Sequence, residues 1–135
     1  MIYITRKEHF SAAHKLFNPN WSQEKNIEVF GKCAYENFHG HNYQLHVTVK
    51  GVPDSETGYV VDLKELSRII QREVLEKIDH RNINLDVEFM KGIMASTENL
   101  VIGIWKQLEP HVKGGTLHKI ELFETERNSV EYYGE

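Results

Sequence analysis

Apolar and polar positions alternate most cleanly in "HNYQLHVTVKG". His41, Tyr43, Leu45, Val47 and Val49 share one face there, and Asn42, Gln44, His46, Thr48 and Lys50 the other. A period of two over this length predicts a half-buried strand, ended by the turn-forming "GVPDSETG". A first strand is predicted from about Ile2 to Ala12, where the alternation is weaker. The period then changes. Leu63, Leu66, Ile70, Val74 and Ile78 recur at steps of three and four, the apolar stripe of a helix, and Asp62 with Glu65 forms a capping box at its start. A second helix begins at "STEN", where Ser96 or Thr97 caps it. It carries Leu100, Ile104 and Leu108 on one stripe and stops at Pro110. "TLHKIELFET" and "SVEYYG" predict two more strands joined by the short polar turn "ERN".

The order ββ–αα–ββ predicts an α+β domain, an antiparallel four-stranded sheet with both helices on one face. One domain accounts for all 135 residues, without repeat, linker or low-complexity tract. The polar segment from about Phe17 to Lys32 reads as a long loop, of a length often used for function or an interface.

Composition and charge remove several classes of partner. The formal net charge is −4 and lysine and arginine never form a run, so neither nucleic acid nor an acidic membrane is the expected partner. The longest apolar run, "LVIGIW", is broken by Gly103 and far too short to span a bilayer. "MIYITRKEHF" turns charged at once and reads as a strand rather than a signal peptide. A single cysteine cannot form an internal disulfide, so a reducing cytoplasm is the expected compartment.

Eight histidines are the compositional oddity. His39 and His41 are two apart at the mouth of a strand, so both imidazoles face one point, and Gly40 between them tolerates a bent backbone. If the first strand's alternation persists, Phe10, Ala12 and His14 share a face, and pairing of the two strands brings His14 beside His39 and His41. Three neutral histidines with one vacant position describe a catalytic zinc site, whereas a structural site needs a fourth protein ligand. Cys33 is a candidate for that fourth place. An H-x-H alone is also met in ordinary strand packing, and His9, His46, His111 and His118 are read as surface or packing residues. Two familiar H-x-H metal folds fail. A cupin needs a glutamate where Leu45 and His46 stand, and a metallo-β-lactamase needs H-x-H-x-D-H where Asn42, Tyr43 and Gln44 follow.

Two further features have two readings each. Asp79 and His80 end the first helix; a carboxylate and an imidazole form a proton-transfer pair, or one of them merely caps the helix end. Glu124 continues the apolar face of Ile120 and Leu122, so it either lies at a solvated strand end or holds a partner. Glu98, in the first turn of the second helix, is favoured there by the dipole regardless of function.

Five segments in order, "FSAAH", "GKCAYENFHGHNY", "DHRNINLD", "STEN" and "FETERNSVEYYGE", resemble the 6-pyruvoyl-tetrahydropterin synthase family and its bacterial relative, 6-carboxy-tetrahydropterin synthase. The resemblance covers essentially the whole chain. It implies that His14, His39 and His41 hold zinc, that Cys33 is the proton acceptor rather than a fourth ligand, and that Asp79 and His80 form a relay. It also implies that Glu124 anchors a pterin through two N–H groups, with Thr97 and Glu98 lining the pterin pocket. The implied architecture is the tunnelling fold: three subunits close a shared barrel, and two trimers stack into a homohexamer with sites at subunit interfaces. A closed barrel would also remove the open edges of a lone sheet. The implied reaction converts 7,8-dihydroneopterin triphosphate to 6-pyruvoyl-tetrahydropterin with loss of triphosphate. The carboxy-forming relatives, which feed queuosine synthesis, lose acetaldehyde as well. Many of them place three residues between the cysteine and H-G-H, whereas "AYENF" places five here, nearer the pyruvoyl-forming pattern. The contrasting class is a zinc-stabilised module that binds a pterin without turning it over.

Overall fold

The computed structural model describes Met1–Glu135. Its frame is a pair of long strands, β1 (Ile2–His14) and β2 (His39–Gly51), antiparallel and in unbroken register from Ile2↔Gly51 to His14↔His39. Both run two residues further toward the histidines than alternation alone marks. Across the ladder Ala13 opposes Gly40; neither residue has a strong strand preference, and the partner strand supplies the pairing that propensity does not.

The sheet has five strands rather than four, in the order β3-β1-β2-β4-β5. Strands β4 (Thr116–Phe123) and β5 (Ser129–Tyr132) form the expected hairpin. The addition is β3, only Arg81–Asn82, which runs parallel to β1 at Ala12↔Arg81 and Ala13↔Asn82. The wholly antiparallel sheet expected from the sequence is therefore corrected to a mixed one. Two residues carry no periodic signal, so this strand is defined only by its hydrogen bonds.

The segment expected to be a loop holds a helix, α1 (Gln23–Phe30), whose N-cap Ser22 accepts from the Lys25 N–H. Ile27 and Val29 remain exposed, and the one buried residue is Asn26. Its Oδ1 accepts the Asn18 N–H at 2.7 Å and its Nδ2 donates to the Asn18 and Ser22 carbonyls at 3.0 Å each. A buried amide that ties the helix to the preceding turn leaves no apolar stripe to read. Asn26→Ala strips the side chain's four part-buried hydrogen bonds and should cost about 2 to 3 kcal/mol of stability, measurable as a lowered denaturant midpoint with unchanged slope.

The next helix begins as expected at Asp62, whose side chain accepts from the Lys64 N–H. The reciprocal half of the capping box is absent, because Glu65 pairs with Arg68 at 3.3 Å instead. α2 (Leu63–Ile70) continues through a π-helical turn (Gln71–Leu75) into the short α3 (Glu76–Ile78). Leu66, Ile70, Val74 and Ile78 are fully buried, while Leu63 is exposed. Steps of four drift by about 40° per step on a regular α-helix, and the wider π turn takes up that drift, keeping the stripe on the sheet.

α4 (Thr97–Leu108) starts at Ser96, which caps the Asn99 N–H, and passes into a 3-10 turn (Glu109–His111) around Pro110. Gly103 in the apolar run has a steric purpose: a Cβ there would meet Met90 Sδ at 2.9 Å and the Phe89 ring at 3.1 Å. All the long helices lie on one sheet face, where Phe10, Tyr43, Leu45, Val47, Ile120 and Leu122 meet Leu66, Ile70, Val74, Leu100 and Ile104. The fold is α+β, and the sheet is open, with β3 and β5 at its edges. No helix is long and apolar enough to cross a membrane.

Candidate metal centre and adjoining pockets

The register of β1 and β2 puts His14 directly opposite His39, with His41 one pleat further along the same face. Ring centroids are 4.6 Å apart for His14 and His39, 4.9 Å for His39 and His41, and 5.1 Å for His14 and His41. One nitrogen from each ring lies within 4.8 Å of the other two. The Ala95 carbonyl, 2.7 Å from His14 Nδ1, accepts its N–H, which leaves the Nε2 lone pair turned toward the cluster. His14 Nε2 and His41 Nε2 are buried and have no hydrogen-bond partner. Burial is the main cause holding all three imidazoles below their usual pKa. The mutual repulsion of the rings adds to it, and the negative Glu124 opposes it. Neutral rings with orphaned lone pairs converging on one point fit a metal ion.

Cys33 is not in this donor group. It sits half-buried in the 3-10 turn Gly31–Ala34, and its carbonyl accepts the Leu16 N–H at 2.8 Å, tying the turn to the exit of β1.

Glu124 lies just beyond β4 and answers the question of its partner. Thr97 Oγ1 donates to its Oε2 at 2.5 Å. Its carboxylate also faces the cluster, 3.9 Å from His14 Nε2 and 3.8 Å from His41 Nε2, too far for hydrogen bonds. Glu124 thus stands between two recesses. One, about 530 Å³, is lined by Thr97, Glu98, Glu124, Arg127 and Asn128. The other, about 710 Å³, is lined by Gly40, His41, Gln44, Phe123 and Glu124. A Cβ on Gly40 would sit at ordinary contact distance, 3.6 Å from the Ala12 carbonyl. Glycine is therefore not required there by crowding within the chain.

Asp79 and His80 form their pair where the helix ends. His80 takes a left-handed φ of 61°, uncommon for a residue with a side chain. The turn brings Asp79 Oδ1 to 3.0 Å from His80 Nδ1. The same oxygen accepts the Ser11 N–H at 2.9 Å, and the His80 N–H donates to the Ser11 carbonyl at 2.7 Å. These contacts, the Ser11 N–H foremost, hold the Asp79 carboxyl below the usual carboxylate range. The His80 side chain is 82 % exposed. It borders a recess of about 510 Å³ together with Ser11, His41, Asn42 and Arg81, but has no hydrogen bond or ion pair to the imidazole cluster.

Sequence reasoning missed two contributors. The Ala95 carbonyl carries no side-chain signal at all. Tyr43 is expected only to share the apolar face of β2 with His41 and Leu45, yet its hydroxyl is a buried polar atom without a partner, and burial, then the charge of Glu124, pushes its pKa up. A phenol on the apolar face of β2, two residues past His41, was the available clue.

Residues 3–135 match the protein-family model described as 6-pyruvoyl tetrahydropterin synthase. The 6-pyruvoyl tetrahydrobiopterin synthase of Dictyostelium discoideum is 42% identical over 134 residues, 99% of this chain and 97% of that protein. The Homo sapiens protein of the same name is 38% identical over 132 residues, 98% of this chain and 91% of that protein. Among solved structures, 6-pyruvoyl tetrahydropterin synthase from Caenorhabditis elegans superposes with a TM-score of 0.93 at 37% identity, covering 99% of this chain and 96% of that one. Likeness of this extent runs from β1 to the last strand, through every segment that builds the histidine cluster, and the chain belongs to the 6-pyruvoyl tetrahydropterin synthase family.

Proposed function

We propose that this protein is a zinc-dependent lyase that converts 7,8-dihydroneopterin triphosphate to 6-pyruvoyl tetrahydropterin with loss of triphosphate. The observation that carries the reading is the group of three neutral imidazoles, His14, His39 and His41, with the Glu124 carboxylate facing it. A three-nitrogen set with no fourth protein donor suits zinc in a catalytic rather than a structural role. When bound, the ion supplies Lewis acidity that polarises the oxygens of the substrate's hydroxylated side chain and makes the neighbouring C–H bonds acidic.

The remaining chemistry belongs to side chains. Glu124, held by Thr97, accepts two N–H groups of the pterin ring and sets the side chain toward the imidazoles; Glu98 lines the same recess. Cys33 takes a proton from the carbon beside the triphosphate-bearing one. The C–H electrons form a C=C bond as the C–O bond breaks and triphosphate leaves, and the enol becomes a methyl ketone. The electron pair and a proton of the other hydroxylated carbon pass into the dihydropterin ring and leave the second carbonyl. His80, oriented by Asp79, carries out the complementary proton transfer as carbonyl character moves along the chain. The exposure of His80 beside β1, and the open edges at β3 and β5, support assembly of three subunits into a barrel and two trimers into a hexamer. In that assembly the Asp79–His80 pair serves a neighbour's zinc.

The five residues between Cys33 and His39 favour the pyruvoyl product over the carboxy product. Mass analysis of the pterin formed from 7,8-dihydroneopterin triphosphate tests this directly. The expected product keeps the whole three-carbon side chain. A product short of two carbons, with acetaldehyde released, would assign the carboxy-forming reaction, and no triphosphate release would leave only a binding module.

A further inference from the structure

Three buried side-chain polar atoms in the molecule lack a hydrogen-bond partner: His14 Nε2, His41 Nε2 and the Tyr43 hydroxyl. Metal ligation accounts for the first two. The third belongs to a residue whose ring packs against theirs. Tyr43 shares the core face of β2 with His41, and its ring meets those of His41 and His14 edge-on at 5.7 Å and 6.3 Å. Phe10 stacks on it at 4.8 Å and 13°, and no part of the residue reaches solvent.

Packing alone would be served as well or better by phenylalanine. It would fill the same space and stack on Phe10, and it would bury no hydroxyl without a partner, an arrangement that native proteins seldom leave unexplained. The Tyr43 ring packs against two of the three imidazoles, so the nearest candidate for the hydroxyl's missing partner is what the metal centre holds. His14 Nδ1 is already engaged by Ala95 and donates there. A phenol O–H can donate to an oxygen.

We propose that Tyr43 is a positioning residue of the metal centre: its hydroxyl donates a hydrogen bond to the oxygen held at the ion's open position, a water until substrate replaces it. This rests on the reading of His14, His39 and His41 as metal ligands, and it adds a partner outside the ligand set that fixes what the ion binds. Such outer partners typically change metal affinity or activity about 10- to 100-fold when removed.

Tyr43→Phe, wild type and His41→Ala, each stripped of metal by chelation, are compared by competitive zinc titration and by thermal unfolding with and without zinc. Their cobalt-loaded forms are compared by visible absorption. The expected result for Tyr43→Phe is a metal-free protein at least as stable as wild type, zinc bound about tenfold more weakly, and a shifted cobalt spectrum. A zinc affinity within about twofold of wild type together with an unmoved cobalt spectrum would overturn the proposal. So would a metal-free variant clearly less stable than wild type, because the hydroxyl would then have a partner within the resting protein. Failure of the metal-centre reading looks different: wild type would bind no zinc, or His41→Ala would bind it equally well.

Discussion

His41→Ala is expected to leave a folded protein whose turnover is lower by at least about a thousandfold, since the Lewis-acid contribution of a bound metal is several kcal/mol. Two imidazoles cannot replace three around the ion, and no other donor in the group stands ready to substitute. The fold should survive because the apolar core of Leu45, Val47, Ile70 and Ile104 is built without the histidines. Chelation of the wild-type protein should reproduce the same split, with activity lost and the far-ultraviolet spectrum kept. A metal that held the fold together would take the fold with it. Unchanged turnover in His41→Ala, with metal content also unchanged, would remove this site from the mechanism.

The same geometry has a consequence for pH. In the metal-free protein His14, His39 and His41 all titrate below the ordinary value of 6.5, chiefly because they are buried. The folded state therefore binds fewer protons than the unfolded chain in that range. Their contribution is present above 6.5 and is lost as pH falls through the lowered folded values. The metal-free protein should thus melt at progressively lower temperature between about pH 7 and pH 5, and His14→Ala, which removes the most buried of the three, should flatten that slope.

Cys33→Ala is expected to reduce turnover by about 10²- to 10⁴-fold, the usual worth of a positioned general base, while zinc stays bound. The two halves of that result separate two roles for the thiol. A ligand would take the metal with it when removed; a base would take only the proton transfer. The thiol stands outside the imidazole group in the turn Gly31–Ala34, and the Leu16–Cys33 backbone bond anchors that turn at the end of β1, two residues past His14. Cys33→Ser should recover little, because a serine hydroxyl is a far weaker acid than a thiol and is not present as its anion near neutral pH. Turnover close to wild type in Cys33→Ala with full zinc content would mean that another group takes the proton.

Some of this was written along the chain in a form that needs no coordinates. The alternation of β2 and the i, i+2 spacing of His39 and His41 are local facts, because a strand repeats every two residues and its faces follow. The caps at Asp62 and Ser96, the stripe of Leu66, Ile70, Val74 and Ile78, and the apolar face that leads through Ile120 and Leu122 to Glu124 are local in the same sense. So is the expected meeting of His14 with His39 and His41, which needed only that the first two strands pair and that alternation continue to residue 14.

Other features have no local signature. β3 is two residues long and exists through its bonds to Ala12 and Ala13. α1 is organised by the buried amide of Asn26 rather than by an apolar stripe. The left-handed turn at His80 joins Asp79 and His80 only because Ser11, on a distant strand, holds both. The Ala95 carbonyl that orients His14, and the Thr97 hydroxyl that holds Glu124, come from segments that are far away in sequence. Periodicity records which way a side chain faces, and that much the sequence determined by itself. Which backbone carbonyl, amide or hydroxyl waits opposite that side chain depends on register and packing between distant segments, so the orientation of His14, the tether on Glu124 and the buried hydroxyl of Tyr43 were decided only by the tertiary structure.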